Sequence, residues 1–143
     1  MSTVFSAMAL LVMPLWFGMI VMPRARWTAA ALRSPVVLAP IALVYVALVV
    51  PDLATILPAV LRPELPQIAE LLGTEKGATI AWAHFLAFDA FVGRWVWQDA
   101  GQRGISPWLS GPILFAVLML GPLGLSVYLL VRALRPTIVA TSG

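Results

Sequence analysis

The sequence predicts an all-α fold: a polytopic membrane protein of four transmembrane helices in a compact bundle, a single membrane domain over residues 1–143. Three observations carry that prediction. Of the 143 residues, 62% are hydrophobic and only 10% charged, where a soluble domain carries about 25% charged residues. The apolar residues gather in stretches at about 3–22, 36–58, 78–98 and 108–131, each long enough to cross roughly 30 Å of hydrocarbon at about 1.5 Å per residue. Between the stretches stand arginines, tryptophans, prolines and glycines, the residues of membrane interfaces and turns.

The charges narrow the function classes. Nine Lys and Arg stand against six Asp and Glu, for a net charge of +3, and no basic cluster is long enough to track a phosphate backbone. Nucleic acid is therefore not an expected partner. The chain has no cysteine, which excludes disulfides, iron–sulfur clusters and thiolate sites. One histidine and scattered carboxylates make a poor ligand set, so no metal is expected.

The first stretch lacks a basic segment before its apolar run, and that run is longer than the core of a signal peptide, so it reads as a retained span. Pro14 inside it should kink it or free a carbonyl, and Pro23 ends it. Arg24, Arg26 and Arg33 follow with Trp27, a headgroup anchor. The second stretch carries Pro40 and Pro51, with Tyr45 near its centre and Asp52 near its far end. The connection after it holds Arg62, Glu64, Glu70, Glu75 and Lys76, and two readings of its PQIAELLG run stand side by side. One is a turn; the other is a short interfacial helix with Leu65, Ile68, Leu71 and Leu72 toward lipid.

The third stretch is followed by a tight polar turn with Asp99, Gly101, Gln102, Arg103 and Gly104. In the fourth, Gly111, Gly121 and Gly124 offer close backbone approach to a neighbour, and Pro122 invites a kink. Four spans put both termini on one side. Arg24, Arg26, Arg33, Arg94 and Arg103 then fall on the side of the first and third loops, and Arg62, Lys76, Arg132 and Arg135 on the other. Five against four is a small margin, and it places both termini on the non-cytoplasmic side.

The third stretch holds the chemistry. His84, Asp89 and Arg94 lie inside it, with Trp82, Trp95 and Trp97 around them. A charge at bilayer depth costs about 2.5–3.5 kcal/mol, so such residues face a protein interior or a wet cavity and have partners. On a helical wheel, with His84 at zero, Asp89 lies at about 140° and Arg94 at about 280°. One straight helix cannot gather them, and partners must come from other spans. His84 and Asp52 each lie about six residues from the same membrane surface, roughly 9 Å deep, which predicts an Asp52–His84 contact. The same count sets Asp89 at the level of Tyr45 and Trp16. Plainer readings compete: Arg94 snorkels to the interface, Asp52 is solvated, the tryptophans form packing or belt contacts, and His84 and Asp89 make structural interhelical hydrogen bonds.

The residues Trp82, His84, Phe88, Asp89, Phe91, Arg94 and Trp95, followed by Asp99 and Arg103-Gly104, resemble the signature of the neoxanthin-synthase-like membrane protein family. That is the family of the plant abscisic-acid-deficient-four protein, with many bacterial relatives. The segment Gly121-Pro122-Leu123-Gly124 is similar to its Gly-Pro-x-Gly block, and Pro14-x-Trp16 and Pro23 with Trp27-Thr28 to its first block. The resemblance implies an isomerase of carotenoid epoxides, in which an epoxide opens and a neighbouring C–H is lost to give an allene. No redox cofactor is needed. It implies His84 and Asp89 as acid and base, Arg94 or Tyr45 as oxyanion or hydroxyl partners, and Trp82, Phe88, Phe91, Trp95, Tyr45, Trp16 and Asp52 as a binding slot for a polyene. No plastid-type extension precedes the first span, so a bacterial cell membrane and a carotenoid or isoprenoid other than neoxanthin are the expectations. Two other functions stay open: a non-catalytic partner, as a homo-oligomer or within a membrane complex, and a proton or small-solute path through His84 and Asp89.

Overall fold

The computed structural model describes residues 1–135; the predicted position of the C-terminus, in 136–143, lies outside the described residues. Among the described residues all regular structure is helical, with no strand. The helices are α1 (Ser2–Val21), α2 (Arg26–Ala31), α3 (Ala39–Val49), α4 (Leu53–Leu61), α5 (Leu65–Leu72), α6 (Glu75–Gln102) and α7 (Pro107–Leu134). They distribute over two compact units, one of residues 1–14 and 34–88, the other of residues 15–33 and 89–143. By length and composition, α1, the helical run Pro35–Leu61 and α7 are apolar enough to cross a membrane. The helix α6 carries Glu75, Lys76, Asp89, Arg94 and Asp99 and is not among them.

In the first unit, the Ser34 hydroxyl accepts the Val36 N–H at 3.2 Å and starts a 3₁₀ turn, Pro35–Leu38. Pro40 stands in the first turn of α3, where its missing N–H costs nothing, so it starts that helix rather than breaking it. Pro51 acts differently. Its missing donor and its ring against the preceding turn tighten the chain into a second 3₁₀ turn, Val50–Asp52, between α3 and α4. Of the two readings of the PQIAELLG run, a turn and a short interfacial helix, the chain forms a helix there, α5. Leu65 at its start is 82% exposed and Leu72 is exposed, but Ile68 and Leu71 are half-buried and close a cleft. Thr74 begins α6 as its cap, accepting the Gly77 N–H at 2.9 Å.

In the second unit, the polar half of α6 clamps the connection after α1. Arg94 donates to the carbonyls of Leu32 at 2.9 Å and Arg33 at 3.0 Å, and Gln98 adds a bond to Leu32. The Trp97 indole N–H donates to the Pro23 carbonyl at 3.2 Å. These bonds satisfy carbonyls that the ends of α1 and α2 leave unpaired. Thr28, buried, donates to Met22 O at 2.9 Å, and a Cβ at Gly18 would stand 2.8 Å from the Trp27 ring.

The departure from expectation is α7. Its backbone leaves helical geometry at Leu120 (φ −142°, ψ 40°) and Gly121 (φ 5°, ψ −78°), directly before Pro122. Proline removes a helical N–H and crowds the residue before it, so a break here is locally inexpensive. The bend is a reversal. A straight helix would set Ala116 and Gly124 about 12 Å apart along its axis, yet a Cβ on Gly124 would stand 2.6 Å from Ala116 C and Val117 Cα. A straight α7 would also carry Arg135 about 42 Å from Pro107, yet the Arg135 carbonyl accepts a bond from Arg103, just before α7 begins, at 3.4 Å. The arms 107–119 and 122–134 fold against each other, and the second runs alongside α6 in the same direction. Gly121 meets Asp89, Tyr128 meets Trp95 and Asp99, and Arg132 meets Asp99. The glycines expected to admit a neighbouring helix thus divide. Gly124 admits its own other arm and Gly121 the Asp89 carboxylate, while Gly111 has only an ordinary contact, 3.8 Å to Ile20 O.

Candidate functional site

The first unit contains a mostly apolar cleft of about 330 Å³ between α3, α4, α5 and α6, walled by Ile56, Val60, Ile68 and Leu71 and carrying Tyr45 and His84 as its polar groups. That volume lies in the range of small-molecule sites. The His84 ring stacks on Phe88 (centroids 4.6 Å apart, planes at 25°), meets Phe85 edge-on at 6.2 Å, and faces Tyr45 at 5.7 Å. Helical spacing explains the grouping, since Phe85 and Phe88 flank His84 on one side of α6. His84, Phe85 and Phe88 are all exposed. Among the described residues, neither the imidazole nor the Tyr45 hydroxyl has a hydrogen-bond partner.

The pairing expected of Asp52 and His84 is not made. Asp52 forms an ion pair with Lys76, and the residue facing His84 is Tyr45. The count of depth was offset because α6 begins at Glu75, ahead of the apolar stretch, so that 52 faces 76 and 45 faces 84 in antiparallel register. Trp82, half out of the core, stacks on Phe5 with centroids 5.4 Å apart.

The second unit holds the other predicted residues. Trp16, expected to share a level with Asp89 and Tyr45, is 1% exposed and packs over Gly93, where a Cβ would stand 2.7 Å from its Cζ3. Its buried indole N–H has no partner in the described structure. Asp89 lies against the break in α7: a Cβ on Gly121 would fall 3.1 Å from the Asp89 Cγ and overlap its Oδ1. Arg94 donates to the Leu32 and Arg33 carbonyls. Phe91 is exposed, and Trp95 packs edge-on against Tyr128 at 5.4 Å.

One polar constellation in this unit was not foreseen. The Asp99 carboxylate accepts from Tyr128 Oη at 2.5 Å, Arg103 Nε at 2.8 Å and Arg132 Nε at 2.9 Å, and the Arg132 guanidinium lies over the Trp95 ring. Burial raises the Asp99 carboxyl pKa, but the hydrogen bonds from Tyr128, Arg132 and Arg103 outweigh it and hold the group below the usual aspartate value. Two sequence spacings carried a faint signal. Asp99 with Arg103, and Tyr128 with Arg132, are each four apart and so share a helix face. Among the described residues no three or more His, Asp or Glu side chains gather in a way that could hold a metal ion.

No curated protein and no solved structure shows detectable similarity to the chain. A family model does match, over residues 3–128, an interval that includes the whole Tyr45–His84 cleft, Asp89 with Gly121, and Asp99 with Tyr128. The match covers most of the 143 residues, and the chain belongs to the ABA DEFICIENT 4-like (ABA4-like) family.

Proposed function

We propose that the chain is an integral protein of a bacterial membrane that binds an end group of a carotenoid-like polyene in the Tyr45–His84 cleft and isomerises an epoxide there. In this reading α1, the run 35–61 and α6 are crossings, with the polar half of α6 sheltered by its bonds to the connection after α1. The observation that carries the proposal is the cleft itself: an apolar recess with two titratable side chains that make no hydrogen bond to any described protein group, beside the exposed rings of Phe85 and Phe88. The volume suits one end ring, and the exposed rings offer an apolar bed for the polyene that leaves it.

The chemistry needs one base and one acid. The His84 imidazole takes the proton from the carbon beside the epoxide. The electron pair of that C–H bond becomes the new C=C of the allene, the adjacent C–O bond breaks, and the alkoxide takes the Tyr45 phenolic proton. A proton passing from imidazolium to phenolate restores both groups. Substrate and product are isomers, so no oxidant or reductant enters.

The test is pigment analysis of a carotenoid-producing host expressing wild type, His84→Ala and Tyr45→Phe. The expected result is an altered profile with wild type, its rate lowered about 100-fold or more in each variant. Co-purification of an unaltered pigment, lost in His84→Ala, would mark a binding protein without the chemistry. An unchanged profile with no bound pigment overturns the proposal.

A further inference from the structure

We infer that the arginine-bearing end of the second unit is a docking surface for anionic lipid headgroups at the cytoplasmic membrane surface, and that α7 enters and leaves the membrane there as a re-entrant hairpin. The inference rests on the membrane reading above. Its first support is length. Each arm of α7 holds 13 residues, about 20 Å of helix, against roughly 30 Å of hydrocarbon. Neither arm crosses, and the contacts of Arg103 with Arg135 and of Asp99 with Arg132 bring the far end of α7 back to its entry.

The second support is charge. Residues 15–33 and 89–143 hold Arg24, Arg26, Arg33, Arg94, Arg103, Arg132 and Arg135 against Asp89 and Asp99 alone. The first unit holds Arg62 and Lys76 against Asp52, Glu64, Glu70 and Glu75. A straight fourth span divides the cations five to four. The hairpin moves Arg132 and Arg135 to join the other five, and the division becomes seven to two, the asymmetry that marks a cytoplasmic face. Anionic lipids of that leaflet attract each nearby Arg by about 1 kcal/mol.

The third support is the surface around Arg24. Among the described residues neither Arg24 nor Arg26 has an ion-pair or hydrogen-bonded side-chain partner. Arg24 borders two grooves of about 470 Å³ each. One presents Gln98, Gln102 and Ser110, polar groups suited to a headgroup phosphate; the other presents Val21, Met22 and Trp108, an edge suited to the start of an acyl chain. Trp108 is 92% exposed and Trp27 is exposed, both at the positions of interfacial anchors.

The chain has no cysteine, so single substitutions report sidedness cleanly. Ser106→Cys stands before α7 and Ala133→Cys at its far end, with Leu134→Cys as a second reporter there. A membrane-impermeant maleimide should leave all three unlabelled in intact cells and label all three once the membrane is opened. Labelling of Ala133→Cys and Leu134→Cys in intact cells with Ser106→Cys protected would make α7 a crossing and overturn the hairpin; labelling of all three would place the arginine end outside. In vesicles, thermal unfolding should shift up by a few degrees when phosphatidylcholine is replaced by phosphatidylglycerol. That shift should largely disappear in Arg24→Gln/Arg26→Gln and persist in Arg62→Gln; an equal shift in the double variant overturns the headgroup surface. Release of the chain by carbonate extraction would instead overturn the membrane reading itself, a failure separate from either of these.

Discussion

His84 stands out at the scale of single residues because it is polar, exposed and surrounded by rings, with Tyr45 as its polar neighbour. Tyr45→Phe removes one hydroxyl and keeps the ring, so it should hold the ligand while turnover falls; spectroscopic titration with a carotenoid alongside the pigment assay separates the two effects. Asp99 is the acceptor shared by three side chains, Tyr128, Arg103 and Arg132. Asp99→Ala strips three donors of their acceptor, and should lower the unfolding free energy by about 1–3 kcal/mol, read by denaturation in detergent. Its pH dependence has a definite sign. The folded carboxyl is held below the unfolded value of about 3.9, so its contribution is fully present above that value and is lost as pH falls through the folded one. The melting temperature of wild type should therefore drop as pH falls below about 4, and the drop should be smaller in Asp99→Ala. His84 and Asp89 were legible in the sequence because a polar residue in an apolar stretch stands out by composition. Tyr128 was not, since a lone tyrosine in an apolar helix looks like any core aromatic until Asp99 is placed beside it.

Among the elements, α7 carries the most specific expectation. Gly124 faces backbone of its own helix, which cannot give way as a side-chain tip can. Gly124→Ala should open the hairpin and cost about 3 kcal/mol or more. The loosening should also raise hydrogen exchange around Tyr128 and Arg132. Gly111→Ala is the matched control. Its new methyl would meet ordinary contact only, and alanine gains up to about 1 kcal/mol of helix propensity, so stability should be unchanged or improved. The Gly-Pro-Leu-Gly run announced a bend in α7, because proline's missing donor is a local property. The angle was not legible: it depends on arms and glycines fitting each other and on contacts with α6, none of which hydropathy encodes. The partners of α5 are not legible for a related reason, since Ile68 and Leu71 are equally apolar whether they meet lipid or cover a cleft.

For the whole molecule, the partition of charge is the property with a measurable consequence. The second unit carries seven arginines and two aspartates, and the first has two cations and four anions. The stabilisation by anionic vesicles should weaken between about 0.05 and 0.5 M salt, as the Debye length shrinks to a few ångströms. Stability in phosphatidylcholine should move far less across the same range. The long apolar segments, the helical content, the family and the polar residues of α6 are legible in the sequence alone, because each follows from composition and short-range pattern. Only the tertiary structure decided that Tyr45 rather than Asp52 faces His84, that Arg94 holds carbonyls, and that α7 turns back on itself. Those depend on register and on reversal of the chain, which are fixed by contacts between residues far apart in sequence and leave hydropathy unchanged.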